Sequence, residues 1–167
     1  IGLYSALLKR NDKPAQDSRQ RSMRLRARLY EQTGQLERAA IEFEKYARSY
    51  ADDQFADESL YNAAAIWYGL KRWDRATRTY NQYYSKAKTV EKVNALFKLG
   101  ELNQKRRRLK SAYAYYEKFI KNNPRDAQMA IQAHIRLARI SEDLRWRNRT
   151  EEWNTKTVAV RNAYERK

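Results

Sequence analysis

Small residues recur along this sequence in two series that keep step with each other. The first series is Ala27, Ala64 and Gly100, and the second is Ala39, Ala76 and Ala112. In both series the first step is 37 residues and the second step is 36. A small residue is needed where the two helices of a hairpin cross closely, because a larger side chain pushes the helices apart. The matched spacing therefore predicts successive helical hairpins that cross at equivalent points.

The segment from Leu96 to Pro124 has the clearest hairpin pattern, LFKLGELNQKRRRLKSAYAYYEKFIKNNP. Apolar residues fall on one face of each of two short helices, and a basic turn joins the helices. The residues that carry the pattern are Leu96, Leu99, Gly100, Ala112, Tyr116, Phe119 and Pro124. At these positions the segment resembles the tetratricopeptide repeat family. The resemblance implies an all-α, right-handed superhelical solenoid of helix-turn-helix repeats that serves as a binding scaffold.

The hairpin pattern divides the chain into successive repeats of a single solenoid. Residues 1–13 are predicted to end a truncated repeat, and hairpins are predicted at 20–53, 57–88, 94–124 and 127–164. The last hairpin is atypical, because no small residue clearly matches Ala112 and Thr150 is the nearest candidate. The chain starts with Ile and no leader precedes the fold, so we expect a fragment of a longer array.

The location of the protein is suggested by one segment between repeats. This segment, YADDQFADESLY, resembles the corresponding part of bacterial envelope proteins of the Tol-system and outer-membrane-assembly lipoprotein type. The resemblance implies a place in the bacterial periplasm or envelope. No apolar run approaches the roughly 20 residues that a membrane-spanning helix needs, so no transmembrane segment is predicted.

Residues that build most catalytic and metal sites are scarce in this chain. It has no Cys and a single His, His134, which falls on the apolar side of its predicted helix. It also lacks a phosphate-binding Gly-rich loop, a Gly-x-Ser-x-Gly motif and a His-Glu-x-x-His motif. These absences argue against an enzyme, and no cofactor or metal is expected.

The chain is strongly basic, with 36 Lys and Arg residues against 20 Asp and Glu residues and a net charge of +16. Such a balance favours acidic partners: an acidic protein segment, nucleic acid, anionic lipid or an anionic glycan. The alternative is a solvated helical surface that simply uses Lys and Arg. Two sets of basic positions distinguish the kinds of partner.

The first set would line the concave groove that the first helices of such repeats form. Transferring the groove positions of the family onto this sequence gives Arg21, Arg24, Arg28, Tyr61, Asn62, Tyr68, Asn94, Phe97, Lys98, Lys105, Arg136 and Arg139. This groove suits an acidic or extended segment of a partner protein, because guanidinium groups bind carboxylates bidentately. Family members that clamp a C-terminal carboxylate use a Lys/Asn set. Asn62 and Lys98 fit that set, whereas Arg24, Arg28 and Asn94 replace its other members.

The second set lies in the turns between the two helices of successive hairpins. It contains Lys71, Arg72, Arg75, Arg106, Arg107, Arg108, Lys110, Arg145, Arg147 and Arg149, with Lys105 beside them. Stacked turns would align these cations into a stripe that attracts phosphate groups and is weakened by salt. The alternative is that exposed turns are simply charged. A protein partner in the groove and a polyanion on the turns therefore remain rival interpretations.

Overall fold

The computed structural model describes residues 13–122 and 127–165. Within these ranges the chain forms eight α-helices and no β-strand, with one 3-10 helix at Val90–Val93. The α-helices are α1 (Lys13–Gln32), α2 (Leu36–Ser49), α3 (Ala56–Gly69), α4 (Trp73–Lys86), α5 (Asn94–Lys105), α6 (Leu109–Lys121), α7 (Ala127–Asp143) and α8 (Arg147–Glu165). The prediction of an all-α fold is confirmed. The truncated repeat predicted at the start of the chain, and Pro124, lie outside the described residues.

The chain divides into two compact units, residues 1–79 and 80–167. In the first unit α1 packs on α2, and α2 packs on α3. In the second unit α5 packs on α6, α6 on α7, and α7 on α8. Within each unit these helices therefore contact their neighbours along the chain, as in a repeat of hairpins. Of the helices that the structure describes, none is long and apolar enough to cross a membrane.

The core of the first unit is built on the small residues of the two series. Ala27, Ala39, Ala64 and Ala76 are fully buried, and Trp67 fills the space beside them. The core also holds a polar contact, in which Glu44 accepts hydrogen bonds from Trp67 Nε1 at 2.9 Å and from Thr79 Oγ1 at 2.7 Å. These bonds satisfy two buried donors that would otherwise be costly.

The core of the second unit shows why one small residue is required. A Cβ atom added at Gly100 would lie 2.6 Å from Cε1 of the Tyr116 ring. Tyr116 is fully buried and packs edge-on against Phe97, so its ring has no space to retreat. Gly100 thus lets α5 and α6 approach more closely than any other residue would allow.

The four hairpin turns share one backbone conformation. Each has a residue with positive φ at the same position: Gly34 (74°), Lys71 (57°), Arg107 (56°) and Arg145 (58°). The amide of the next residue bonds to the carbonyl five residues back, for example Arg108 N to Asn103 O at 2.9 Å. This is the Schellman helix ending, whose positive-φ position usually holds Gly. Three of the four turns instead place a cation there.

Candidate functional site

The groove positions predicted in the first unit make contacts of their own. The guanidinium carbon of Arg24 lies 3.5 Å from the centre of the Phe55 ring. Arg28 forms an ion pair with Glu58 at 3.3 Å, and Arg21 is exposed. An exposed pair of this kind contributes about 0–1 kcal/mol, so Glu58 is readily exchanged for another carboxylate.

The other groove positions of the first unit are partly buried. Tyr61 and Asn62 lie in the middle of α3, and the Tyr68 ring packs edge-on against Trp73 with 5.7 Å between the ring centres. Tyr68 therefore has a packing role at the turn that joins α3 to α4.

In the second unit the groove positions of α5 and α7 meet in a charged network. Lys98 Nζ donates to Glu101 at 2.9 Å, and Arg136 donates to the other oxygen of Glu101 at 3.1 Å. Arg136 also donates to Gln104 Oε1 at 3.0 Å, and that oxygen accepts a further bond from Tyr116. Two cations thus share one carboxylate. The Nε atom of Arg136 is buried and has no hydrogen-bond partner in the structure.

Phe97 lies in the core. Its side chain is 6% exposed, and its ring packs edge-on against Tyr116 and Phe119. The guanidinium carbon of Arg136 lies 5.6 Å from the centre of the Phe97 ring, so the ring packs against the charged network. Of the remaining positions, Asn94 is partly buried, and Lys105 and Arg139 are exposed.

Two of the three turn cations of the first unit, Arg72 and Arg75, are engaged within the unit, and Lys71 is exposed. Arg72 donates to Glu37 from Nε at 3.1 Å and from a terminal nitrogen at 2.7 Å. The guanidinium carbon of Arg75 lies 4.5 Å from the centre of the Trp67 ring. Glu37 therefore occupies N–H donors with which Arg72 would bind a ligand, and the Trp67 ring fixes the position of the Arg75 guanidinium.

Four turn cations of the second unit lack ion-pair partners among the described residues. Arg107, Arg108, Lys110 and Arg145 are exposed, and none forms an ion pair with a residue that the structure describes. Arg106 is partly buried, and the side chain of Arg147 lies outside the described residues. Where α2 and α4 have an acid as their second residue, Glu37 and Asp74, α6 and α8 have Lys110 and Asn148. The two turns of this unit are therefore more basic than those of the first unit.

An aromatic cluster packs the α7–α8 turn against α6. Trp146 lies in the α7–α8 turn, and its ring meets Tyr113 of α6 with 5.2 Å between the ring centres. Trp153 Nε1 donates to the Tyr113 hydroxyl at 2.8 Å, and the Arg149 cation lies 5.3 Å from the centres of both Tyr113 and Trp146. The pKa of Arg149 is raised, mainly because its side chain forms a hydrogen bond with Tyr113. The sequence does not single out Tyr113, although its place four residues after Leu109 is a sign that it faces inward.

His134 belongs to the same cluster. Its ring is buried 5.3 Å from Trp153, and Nδ1 has no hydrogen-bond partner. Burial, followed by the nearby charge of Lys156, lowers the pKa of His134. Among the residues described here, no group of three or more His, Cys, Asp or Glu side chains could hold a metal ion.

Comparison with known proteins identifies one hairpin directly. Residues 94–126, which include α5 and α6, match the sequence profile of the tetratricopeptide repeat. A comparison with curated protein sequences finds no match.

Solved structures extend the similarity to the rest of the chain. The crystal structure of MamA has a TM-score of 0.68 at 17% identity, over 89% of this chain and 81% of MamA. BtubC (BKLC) from P. vanneervenii has a TM-score of 0.66 at 17% identity, over 97% of this chain and 71% of its own. Tetratricopeptide-like repeats of a putative kinesin light chain from Podosopora anserina have a TM-score of 0.62 at 17% identity, over 99% and 84%. At these identities the similarity establishes the fold.

Proteins of the tetratricopeptide repeat family are typically scaffolds that bind other proteins. The predicted fold class, a solenoid of tetratricopeptide-like hairpins, is confirmed. The basic groove, the turn stripe and the envelope location stay predictions.

Proposed function

We propose that this chain is a non-catalytic scaffold whose first helices bind an acidic or extended segment of a partner protein. The observation that carries the proposal is the charged network of α5 and α7 with its unsatisfied guanidinium nitrogen. Lys98 and Arg136 both form ion pairs with Glu101 there. Since Arg136 Nε is buried without an acceptor, a partner's carboxylate that reached it would complete the network.

Exposed cations at other predicted groove positions support the same proposal. Arg21 on α1 and Lys105 and Arg139 on α5 and α7 are exposed. Charges at the border of a binding surface mainly accelerate association, whereas buried charge pairs set the rate of dissociation. We therefore assign Arg136 and Lys98 to holding the partner and Arg21 and Arg139 to attracting it.

The test compares two double variants with the same change in charge. Arg21→Glu/Arg139→Glu changes exposed positions of first helices, and Lys45→Glu/Arg78→Glu changes exposed positions of second helices. The probe is a fluorescein-labelled 12-residue peptide of alternating Glu and Ser, measured by anisotropy at several NaCl concentrations. We expect the first variant to weaken binding about tenfold and the second by less than about twofold.

Equal losses from both variants would show that only net charge attracts the peptide, and the groove proposal would be abandoned. Circular dichroism of both variants checks that the helical fold is retained. The same conclusion follows if the wild-type chain does not bind the peptide at 20 mM NaCl.

The envelope location is a proposal of the same origin as the groove. It rests on the resemblance of the YADDQFADESLY segment to bacterial envelope proteins. Fractionation of the source cell tests it, and recovery of the protein only with the cytoplasmic fraction would contradict it.

A second candidate function is polyanion binding by the hairpin turns. One observation favours it, namely that Arg107, Arg108, Lys110 and Arg145 have no ion-pair partner among the described residues. Phosphate groups are suitable ligands for such guanidinium groups.

A further inference from the structure

Two hairpin turns of the second unit hold cations that the backbone does not require. Arg107 and Arg145 occupy positive-φ positions, and Gly34 fills the equivalent position of the first hairpin. A side chain at such a position is strained, whereas Gly adopts it freely. Folding alone would therefore favour Gly at both sites, as at Lys71 of the first unit, so the backbone does not account for the arginine side chains.

The aromatic cluster gives this basic surface a feature that charge alone does not explain. An open cavity of about 540 Å³ is lined by Arg145, Trp146, Asn148 and Arg149. Trp146 is partly exposed at this cavity, and Tyr113 supports its ring from within. An aromatic ring between exposed cations is the arrangement with which proteins stack an unpaired base and hold the adjoining phosphates.

We propose that the two turns of the second unit bind single-stranded nucleic acid. Arg107, Arg108, Lys110 and Arg145 contact phosphates, and Trp146 stacks on a base. This inference rests on the second proposed function, polyanion binding, and is independent of the groove.

Other polyanions fit this surface less well. A duplex hides the faces of its bases from Trp146. A lipid surface requires exposed apolar side chains, and the large ones in the described residues are Leu25, Leu29, Ile41 and Val158, all outside these turns. A sulfated glycan offers charge without an aromatic face.

The test uses glycine substitutions that relieve strain while removing charge. The variant Arg107→Gly/Arg145→Gly is compared with the full 167-residue chain and with the single variant Lys71→Gly. Lys71 is the matched control, because it has the same turn position and a φ of 57° in the first unit. The probe is fluorescein-labelled oligothymidine of 20 nucleotides, and anisotropy is measured between 50 and 200 mM NaCl.

We expect the double variant to bind the probe at least about tenfold more weakly while melting at the same or a higher temperature. Loss of two phosphate contacts should reduce the slope of log K against log [NaCl] by about 1.4, at about 0.7 per contact. Lys71→Gly should bind as the wild type does. A loss as large for Lys71→Gly as for the double variant would overturn the proposed site.

A further variant separates stacking from charge. Trp146→Phe retains an aromatic ring against Tyr113, and we expect it to weaken oligothymidine about threefold or more while leaving heparin binding unchanged. Tighter binding of heparin, of a 20-base-pair duplex or of phosphatidylglycerol vesicles than of oligothymidine would overturn the choice of ligand and retain polyanion binding. If none of the four binds at 50 mM NaCl, both this inference and the second candidate function are wrong.

Discussion

At Gly100 a single missing methyl group sets the distance between two helices. The ring of Tyr116 occupies the space that a Cβ atom would need, with Cε1 at 2.6 Å and Cδ1 at 2.8 Å. The ring is buried between α5 and the rest of its core and cannot rotate away without disturbing Phe97. A small residue is therefore required here because of the close contact with Tyr116, and not because of the backbone φ angle.

Substitution of Gly100 by Ala should destabilise the fold. We expect a loss of about 1–3 kcal/mol from overpacking, larger than the helix-propensity gain of about 0.5–1 kcal/mol. Gly69→Ala is the control, because no heavy atom lies within 4 Å of its added Cβ, and it should be neutral or stabilising. Urea unfolding measures both. Equal stability of Gly100→Ala and the wild type would contradict the close packing against Tyr116.

His134 is the one residue whose titration should be visible near neutral pH. Burial lowers its pKa below the value of the unfolded chain, so the folded state binds its proton more weakly. Stability from this residue is complete above about pH 6.5 and is lost as the pH falls through the folded pKa. Lys156, whose cation lies 4.5 Å from the centre of Trp153, adds repulsion for the protonated ring.

The pH effect can be isolated because the chain has no other His. We expect the free energy of unfolding of the wild type to fall between pH 7 and 5, and that of His134→Gln to fall less. Urea unfolding at half-unit pH intervals measures the difference. Parallel curves for the two proteins would show that His134 is accessible to solvent when folded.

At the scale of elements, α8 is attached to α6 by a buried hydrogen bond between residues 40 positions apart. Trp153 donates to the Tyr113 hydroxyl, and both side chains are at most 5% exposed. This bond fixes the last helix although the small-residue pattern ends before it. Thr150, the nearest match to Ala112, is only partly buried.

Removing the Tyr113 hydroxyl should leave a buried indole donor without an acceptor. We expect Tyr113→Phe to cost about 1–3 kcal/mol. Tyr115→Phe is the control in the same helix, because its hydroxyl lies 3.5 Å from Asn81 at the surface, and it should cost less than about 0.5 kcal/mol. A double-mutant cycle with Trp153→Phe measures the coupling, and additive losses would mean that the two side chains act independently.

At the scale of the whole molecule, net charge opposes folding. With a charge of +16, repulsion among cations should exceed the attraction of exposed pairs such as Arg72–Glu37. Raising NaCl from 20 to 200 mM should then recover about 1 kcal/mol and raise the midpoint of thermal unfolding by about 2–4 °C. Calorimetry measures the midpoint. A lower midpoint in salt would show that the ion pairs outweigh the repulsion.

The sequence predicts the repeats of this molecule better than its binding surfaces. Ala27, Ala39, Ala64, Ala76 and Ala112 are all fully buried, as two series in step require. Packing can be predicted from the sequence here because each hairpin requires a small residue at the same crossing point.

Individual side chains leave a weaker trace. Phe97 falls at a predicted groove position, yet its ring lies in the core. Successive residues are 100° apart around a helix, so a sequence pattern does not separate the groove face from the core face more finely than that angle. The pairing of Arg136 with Glu101 depends on how α5 packs beside α7. The positive φ of Arg107 belongs to a turn type that is usually recognised in a sequence by Gly, and no Gly is present here. Neither is encoded in local residue type.

The shared turn conformation also bears on where hairpins can be added to or removed from such a chain. Each hairpin turn has three residues, at 33–35, 70–72, 106–108 and 144–146, whereas the segments between hairpins have six, seven and five residues. The length of the chain between helices therefore varies between hairpins and is constant within them. The hairpin is the indivisible module, and recombination that joins modules at the intervening segments would preserve every turn. A reporter domain inserted at residues 50–55, between the first two hairpins, would likewise leave every turn intact.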